Sequence, residues 1–215
     1  MTAEAHPLFN IPFPKVRLHR RAFIAGAVST LAAGPALAAK VEGDDPYPLP
    51  KFNYMSIPED FRPALVEYTG RQLPGTIIVK TADRHLFLVL GDGQAIRYGC
   101  AVGKDGFRWA GLADVGRKVM WPKWTPPKEM IARSPEKAKW ANGMPGGPEN
   151  PLGARALYLF QNGQDTLYRI HGTTEPQSIG KNASSGCIRM INQDVIDLFR
   201  RAPIGTRVVV MAEGV

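Results

Sequence analysis

Two short turns restrict what this chain can fold into more than any other feature. Asp92-Gly93 separates the apolar run 85–90 from a returning run at 95–102. Asn162-Gly163 stands between two further apolar runs, 154–160 and 166–170. Asp-Gly and Asn-Gly accept positive φ at both central positions, and such turns match the twist of antiparallel strands. The β-branched stretch 76–81 leads into the first pair through Ala82-Asp83-Arg84. Three strands at this spacing predict an antiparallel meander. A last strand is expected at 207–211, after Gly205-Thr206. The chain therefore reads as mostly β, with 215 residues supplying one ordinary domain and extensions.

The extensions lie at the N-terminus. Arg20-Arg21-Ala22-Phe23-Ile24 resembles a twin-arginine export signal. An alanine-rich apolar run follows, and Ala36-Leu37-Ala38 offers a small-x-small cleavage site. The run is short for a membrane span, which needs about 20 apolar residues. Residues 1–38 are thus expected to direct export to the periplasm; an uncleaved anchor and ordinary Sec export remain the alternatives. Residues 39–73 begin with Pro46, Pro48 and Pro50, which suit an extended linker. A short helix capped by Ser56 is expected near 58–66, either packing on the domain or tethering it. The main domain is expected at 74–212.

Residues 103–150 are rich in Gly and Pro and hold Trp109, Trp121, Trp124 and Trp140. They read as a long irregular segment with one short helix at 129–140, and such segments are usually functional. Their aromatic rings either line a groove or pack the segment down. After residue 191, Asn192 is the expected N-cap of a helix with Val195, Ile196, Leu198 and Phe199 on its apolar face.

The reactive side chains are few. Beyond Ala38 the chain holds Cys100, Cys187, His85 and His171. No Cys-x-x-Cys or His-x-x-x-His spacing occurs, so neither a metal nor another cofactor is expected. His171-Gly172 ends a short strand, and the polar loop Asn182-Ala183-Ser184-Ser185-Gly186 presents Cys187. Arg189 follows two places later. A thiol with an imidazole in reach and backbone N–H groups beside it is the layout of a cysteine nucleophile. The alternative for Cys187 is a buried structural thiol. Cys100 reads as core, with a Cys100–Cys187 bridge as its alternative in an oxidising compartment. His85 reads as structural.

His171-Gly172, followed by Ser184, Gly186, Cys187, Ile188 and Arg189, resembles the signature of the L,D-transpeptidase catalytic domain, the YkuD family. Asn150-Pro151-Leu152-Gly153 resembles the stretch leading into that family's catalytic half. Ser185 departs from the pattern, since many members carry His there. The resemblance implies a β-sandwich-like fold with a short helix after the cysteine loop, and a lid formed by the tryptophan-rich segment. It implies Cys187 as nucleophile, His171 as base in an ion pair with the thiolate, and the Gly172 carbonyl orienting the imidazole. Arg189 would shape the site or meet a substrate carboxylate, its alternative being a structural ion pair. Ser185, Gly186, Trp124 and Asn182 are expected to contact substrate. The substrate implied is a peptidoglycan stem peptide, and the reaction acyl transfer to a second stem, to water, or to an outer-membrane protein.

Charge agrees with an anionic polymer. The formal charge is +8, and residues 1–38 carry four basic residues against Glu4, a net of +3 that leaves +5. No basic helix, finger spacing or aromatic–basic motif supports nucleic acid. A cysteine hydrolase of wall links and a non-catalytic wall-binding module remain open. A papain-like protease is disfavoured, because there the Cys would precede the His by a long interval, whereas here His171 precedes Cys187. The sequence leaves the oligomeric state unread.

Overall fold

A computed structural model describes Leu8 and residues 45–103, 109–184 and 186–211. Apart from Leu8, the export segment therefore lies outside the described residues, as does Ser185. Among the described residues, no helix is long and apolar enough to cross a membrane.

Both sequence-marked turns form as expected. Strand β3 (His85–Gly91) returns through Asp92 and Gly93, at φ 50° and 72°, into β4 (Gln94–Gly99). Strand β7 (Arg155–Gln161) returns through Asn162 and Gly163, at φ 51° and 77°, into β8 (Gln164–His171). Strand β2 (Ile77–Lys80) pairs antiparallel with β3, completing the meander. Strand β11 (Arg207–Met211) then joins the halves, parallel to β2 and antiparallel to β6 (Gly111–Met120). Strand β1 (Ala64–Glu67) borders β4, and β10 (Ile188–Arg189) closes the other edge beside β8. The nine-stranded order is β1-β4-β3-β2-β11-β6-β7-β8-β10. A second, two-stranded sheet pairs β5 (Val102–Gly103) with β9 (Asn182–Ser184).

The core is built on the inner faces. Ile77, Val79, Leu86, Leu88, Ile96, Leu157, Leu159 and Val208 are fully buried in one cluster. Helix α2 (Asn192–Arg201) packs on β7 and β8 and adds Val195 and Leu198 to that cluster. Covering both faces of β7 explains why its first five residues, Arg155 to Leu159, are all buried.

Several local expectations are corrected. No helix spans 58–66: two 3-10 turns, Tyr54–Ser56 and Glu59–Phe61, precede β1. Pro58 and Pro63 leave too little chain between them, and Arg62 before Pro63 is extended. The helix expected at 129–140 is α1 (Lys128–Arg133) followed by a 3-10 segment, Pro135–Trp140. It breaks at Ser134, which precedes Pro135. The segment 103–150 is less irregular than expected, because β6 runs ten residues through it. Ile191, not Asn192, is the N-cap of α2. The Asn192 amide is drawn sideways, accepting from Ala154 N at 2.9 Å and donating to the Thr173 carbonyl at 2.9 Å.

The N-terminal extension packs on the domain. Ile57 is buried with Ala101, Ile179 and Ile191 in a second cluster, against which Phe52, Tyr54 and Phe61 also pack. Burying one such side chain contributes about 1.5–3 kcal/mol. The Tyr54 hydroxyl donates to Asp194 at the start of α2, and the Gln193 amide donates to the Pro50 carbonyl at 2.7 Å. This strap thus braces the segment that carries Cys187 from both sides, through Ile179 before it and Ile191 after it.

Candidate active site

The nucleophile and base candidates hang from neighbouring strands. Ile188 pairs with Ile170 and Arg189 with His171 in a short parallel ladder. Arg189 N–H and Ala101 N–H exchange hydrogen bonds with each other's carbonyls at 2.8 Å, which ties β10 on its other side. Met190 N–H donates to the His171 carbonyl at 2.8 Å. Backbone bonding therefore fixes where Cys187 and His171 stand relative to one another. Gly186, just before the thiol, has φ 112° and is buried, a conformation that a side chain would strain.

Cys187, His171, Arg189 and Trp124 all line one cavity of about 400 Å³. Trp140, Met130 and Met144 line the same cavity. Their stretch is held as a unit. Trp124 and Met144 exchange backbone hydrogen bonds at 3.0 and 2.6 Å. The fully buried Asn150 amide donates to the carbonyls of Pro122, Met144 and Pro145. The tryptophans divide accordingly. Trp124 and Trp140 face the cavity, whereas Trp109 stacks on Tyr168 at 5.0 Å and Trp121 donates to Asp45.

The imidazole is buried and oriented. His171 Nδ1 lies 2.6 Å from the Gly172 carbonyl oxygen, which accepts its proton and leaves Nε2 with the lone pair. Burial pushes the imidazole down to about 4, and the Arg189 and Arg169 guanidiniums act in the same direction. The Gly172 and Leu152 carbonyls oppose this by favouring the imidazolium. Burial also pushes the Cys187 thiol up, against the Arg169 and Arg189 charges and a hydrogen bond from Arg169 N–H. Each shift favours the neutral form of its group, the thiol of Cys187 and the imidazole of His171.

The remaining candidates are distributed as follows. Arg189 Nη1 lies 3.1 Å from Glu175 Oε2, and its Nε is buried without a hydrogen-bond partner among the described residues. Asn182 does not reach the cavity; it is exposed in β9, where its Oδ1 accepts from Arg84 Nε at 3.2 Å. Cys100 is fully buried and unbridged, with its thiol pushed up to about 12 by burial. His85 stacks on Phe61 and meets the Asp60 carbonyl at 3.0 Å. Among the described residues, no group of three or more His, Cys, Asp or Glu could hold a metal ion.

Sequence reasoning missed Arg169, Leu152, Glu175 and Asn192 as members of this site. Arg169 had a usable signal: it lies two residues before His171 on the same strand, so both share one face. Leu152 and Asn192 act through geometry that no spacing encodes.

The chain is similar to several known proteins. The model of the YkuD family, described as the L,D-transpeptidase catalytic domain, matches residues 74–210. A protein of Escherichia coli K12 named probable L,D-transpeptidase YbiS is 34% identical over 145 residues, covering 61% of this chain and 43% of that protein. One of Salmonella typhimurium, named probable L,D-transpeptidase ErfK/SrfK, is 39% identical over 144 residues, covering 61% and 42%. The chain thus spans less than half the length of these relatives. A crystal structure from Brucella melitensis, titled a probable carnitine operon oxidoreductase, is 52% identical with a TM-score of 0.50, covering 74% of this chain and 99% of that one. With its family model matched across most of the β domain and around the Cys187 cavity, the chain belongs to the YkuD family of L,D-transpeptidase catalytic domains.

Proposed function

We propose that this protein is an exported, periplasmic peptidoglycan L,D-transpeptidase that works through a Cys187 thioester. The observation that carries the reading is His171 on the Cys187 cavity, with Nδ1 committed to the Gly172 carbonyl. Nε2, left with the lone pair, can accept the thiol proton as sulfur attacks. In the proposed reaction, the Cys187 sulfur adds to the carbonyl of the third stem residue. The thiol proton passes to His171. The tetrahedral oxyanion is held by backbone N–H groups near Gly186 and Cys187. Arg169 N–H, beside the sulfur, stabilises any thiolate character. The C–N bond then breaks and the terminal D-alanine leaves, its amine taking the proton from His171. An amine of a second stem attacks the thioester, and His171 receives its proton before the thiol is regenerated. The Gly172 and Leu152 carbonyls favour the imidazolium that forms between these steps.

Mass spectrometry of the purified protein with a disaccharide-tetrapeptide tests this. Loss of one D-alanine with an acyl adduct on Cys187, both absent from Cys187→Ala, is the expected result. Crosslinked dimers identify a stem as acceptor, and tripeptide alone identifies water. Absence of any adduct from folded protein would remove the reading.

A further inference from the structure

We propose that Glu175 occupies the substrate's carboxylate position on Arg189 and is displaced when the acyl donor binds, so that it moderates the preference of Arg189 for donors with a free terminal carboxylate. This rests on the acyl-transfer reading above. Arg189 and Glu175 both line the Cys187 cavity, and Arg189 is two residues from the sulfur. Arg189 is a largely buried cation, its side chain 17% exposed, and Glu175 is its one ion-pair partner among the described residues. The contact is monodentate, through Nη1 alone, and the buried Nε has no hydrogen-bond partner among the described residues. A guanidinium is built to take a carboxylate with two parallel N–H donors, so this pair leaves that capacity unused.

The two ends of the contact differ in freedom. The Glu175 carboxylate is 59% exposed. Its backbone, by contrast, is pinned: Glu175 N–H donates to Thr173 Oγ1 at 3.0 Å, and its carbonyl accepts from Ser178 Oγ at 2.6 Å. The side chain can therefore swing into solvent without moving the loop. An exposed carboxylate on a single contact is weakly held. It keeps Arg189 neutralised while the cavity is empty and yields to a ligand carboxylate that makes the better contact. A terminal D-alanine places such a group two bonds beyond the amide nitrogen released at Cys187. A donor without that charge cannot replace Glu175, so it meets an arginine already paired.

The test compares two donors, a tetrapeptide stem ending in free D-alanine and the same stem ending in D-alaninamide. Full-length wild type and Glu175→Gln are assayed for Cys187 acylation, with circular dichroism confirming the fold. The ratio of kcat/KM for the acid over the amide should rise about two- to fivefold in Glu175→Gln. The gain should lie in KM for the acid and shrink at high salt. An unchanged or lowered ratio would overturn the proposal, because Glu175 would then merely position Arg189. If wild type formed no Cys187 adduct with either donor, the functional reading itself would fall, and this inference with it.

Discussion

Arg155 Nη2 lies 2.7 Å from Asp45 Oδ2, joining the strap to the strand that begins beside the active site. The Arg155 side chain is 4% exposed and Asp45 20%. Burial raises the Asp45 carboxyl, but the hydrogen bonds from Trp121, Arg155 and Tyr47 N–H outweigh it and hold the group below its usual value. Asp45→Ala leaves a buried guanidinium and the Trp121 N–H without their partner. Stability should fall by about 3 kcal/mol in urea unfolding. Adding Arg155→Met should recover part of the loss, because the unpaired charge goes with it. An Asp45→Ala protein as stable as wild type would show that the strap is dispensable.

His171 should impose an acid limit on stability. Its pKa falls from 6.5 unfolded to about 4 folded. Between those values the unfolded chain holds a proton that the folded chain refuses. The contribution is therefore complete above pH 6.5 and is lost as pH drops toward 4, by about 3 kcal/mol. Unfolding free energies at pH 7 and 4.5 should show this slope, and His171→Gln should lack it.

Cys187 should behave as a slow thiol in the absence of substrate. Because burial raises its pKa, alkylation by iodoacetamide should climb by at least about 50-fold from pH 7 to 9. Cys100 stays silent, being fully buried. A rate that levels off near neutral pH would instead reveal a standing thiolate–imidazolium pair.

Gly172 should tolerate no side chain while Asn192 is present. A Cβ there would lie 2.1 Å from Asn192 Oδ1. Gly172→Ala should cost about 1–3 kcal/mol in stability and, by turning the carbonyl that aligns His171, about 100-fold in acylation rate. Asn192→Ala alone also destabilises, by orphaning Ala154 N–H and the Thr173 carbonyl. The double variant should be more stable than the two losses added, a coupling that thermal denaturation of the four proteins would measure.

What the sequence disclosed followed from local chemistry. Asp92-Gly93 and Asn162-Gly163 marked their hairpins because the backbone there needs positive φ. Cys187 and His171 were found on one cavity, as their residue types and spacing suggested, and Trp124 lines it too. Strand β6 escaped notice because Gly111 to Met120 has no β-branched run, and its register shifts between Val115 and Arg117. The shift leaves Gly116 against the Phe160 ring. The parallel pairing of β11 with β2 joins strands more than a hundred residues apart, which no turn signal encodes. Asn192 looked like a cap, but Ala154 and Thr173 offered its amide partners from the neighbouring loop.

The short ladder between β8 and β10 has a consequence for how such a protein can diversify. Cys187 and His171 are suspended from main-chain bonds, whereas Trp124, Met130, Trp140 and Met144, which line the same cavity, come from a separate stretch. In the proposed reaction, chemistry and recognition are therefore modular: that stretch can be exchanged, lengthened or recoloured with charge while Cys187 and His171 keep their mutual placement.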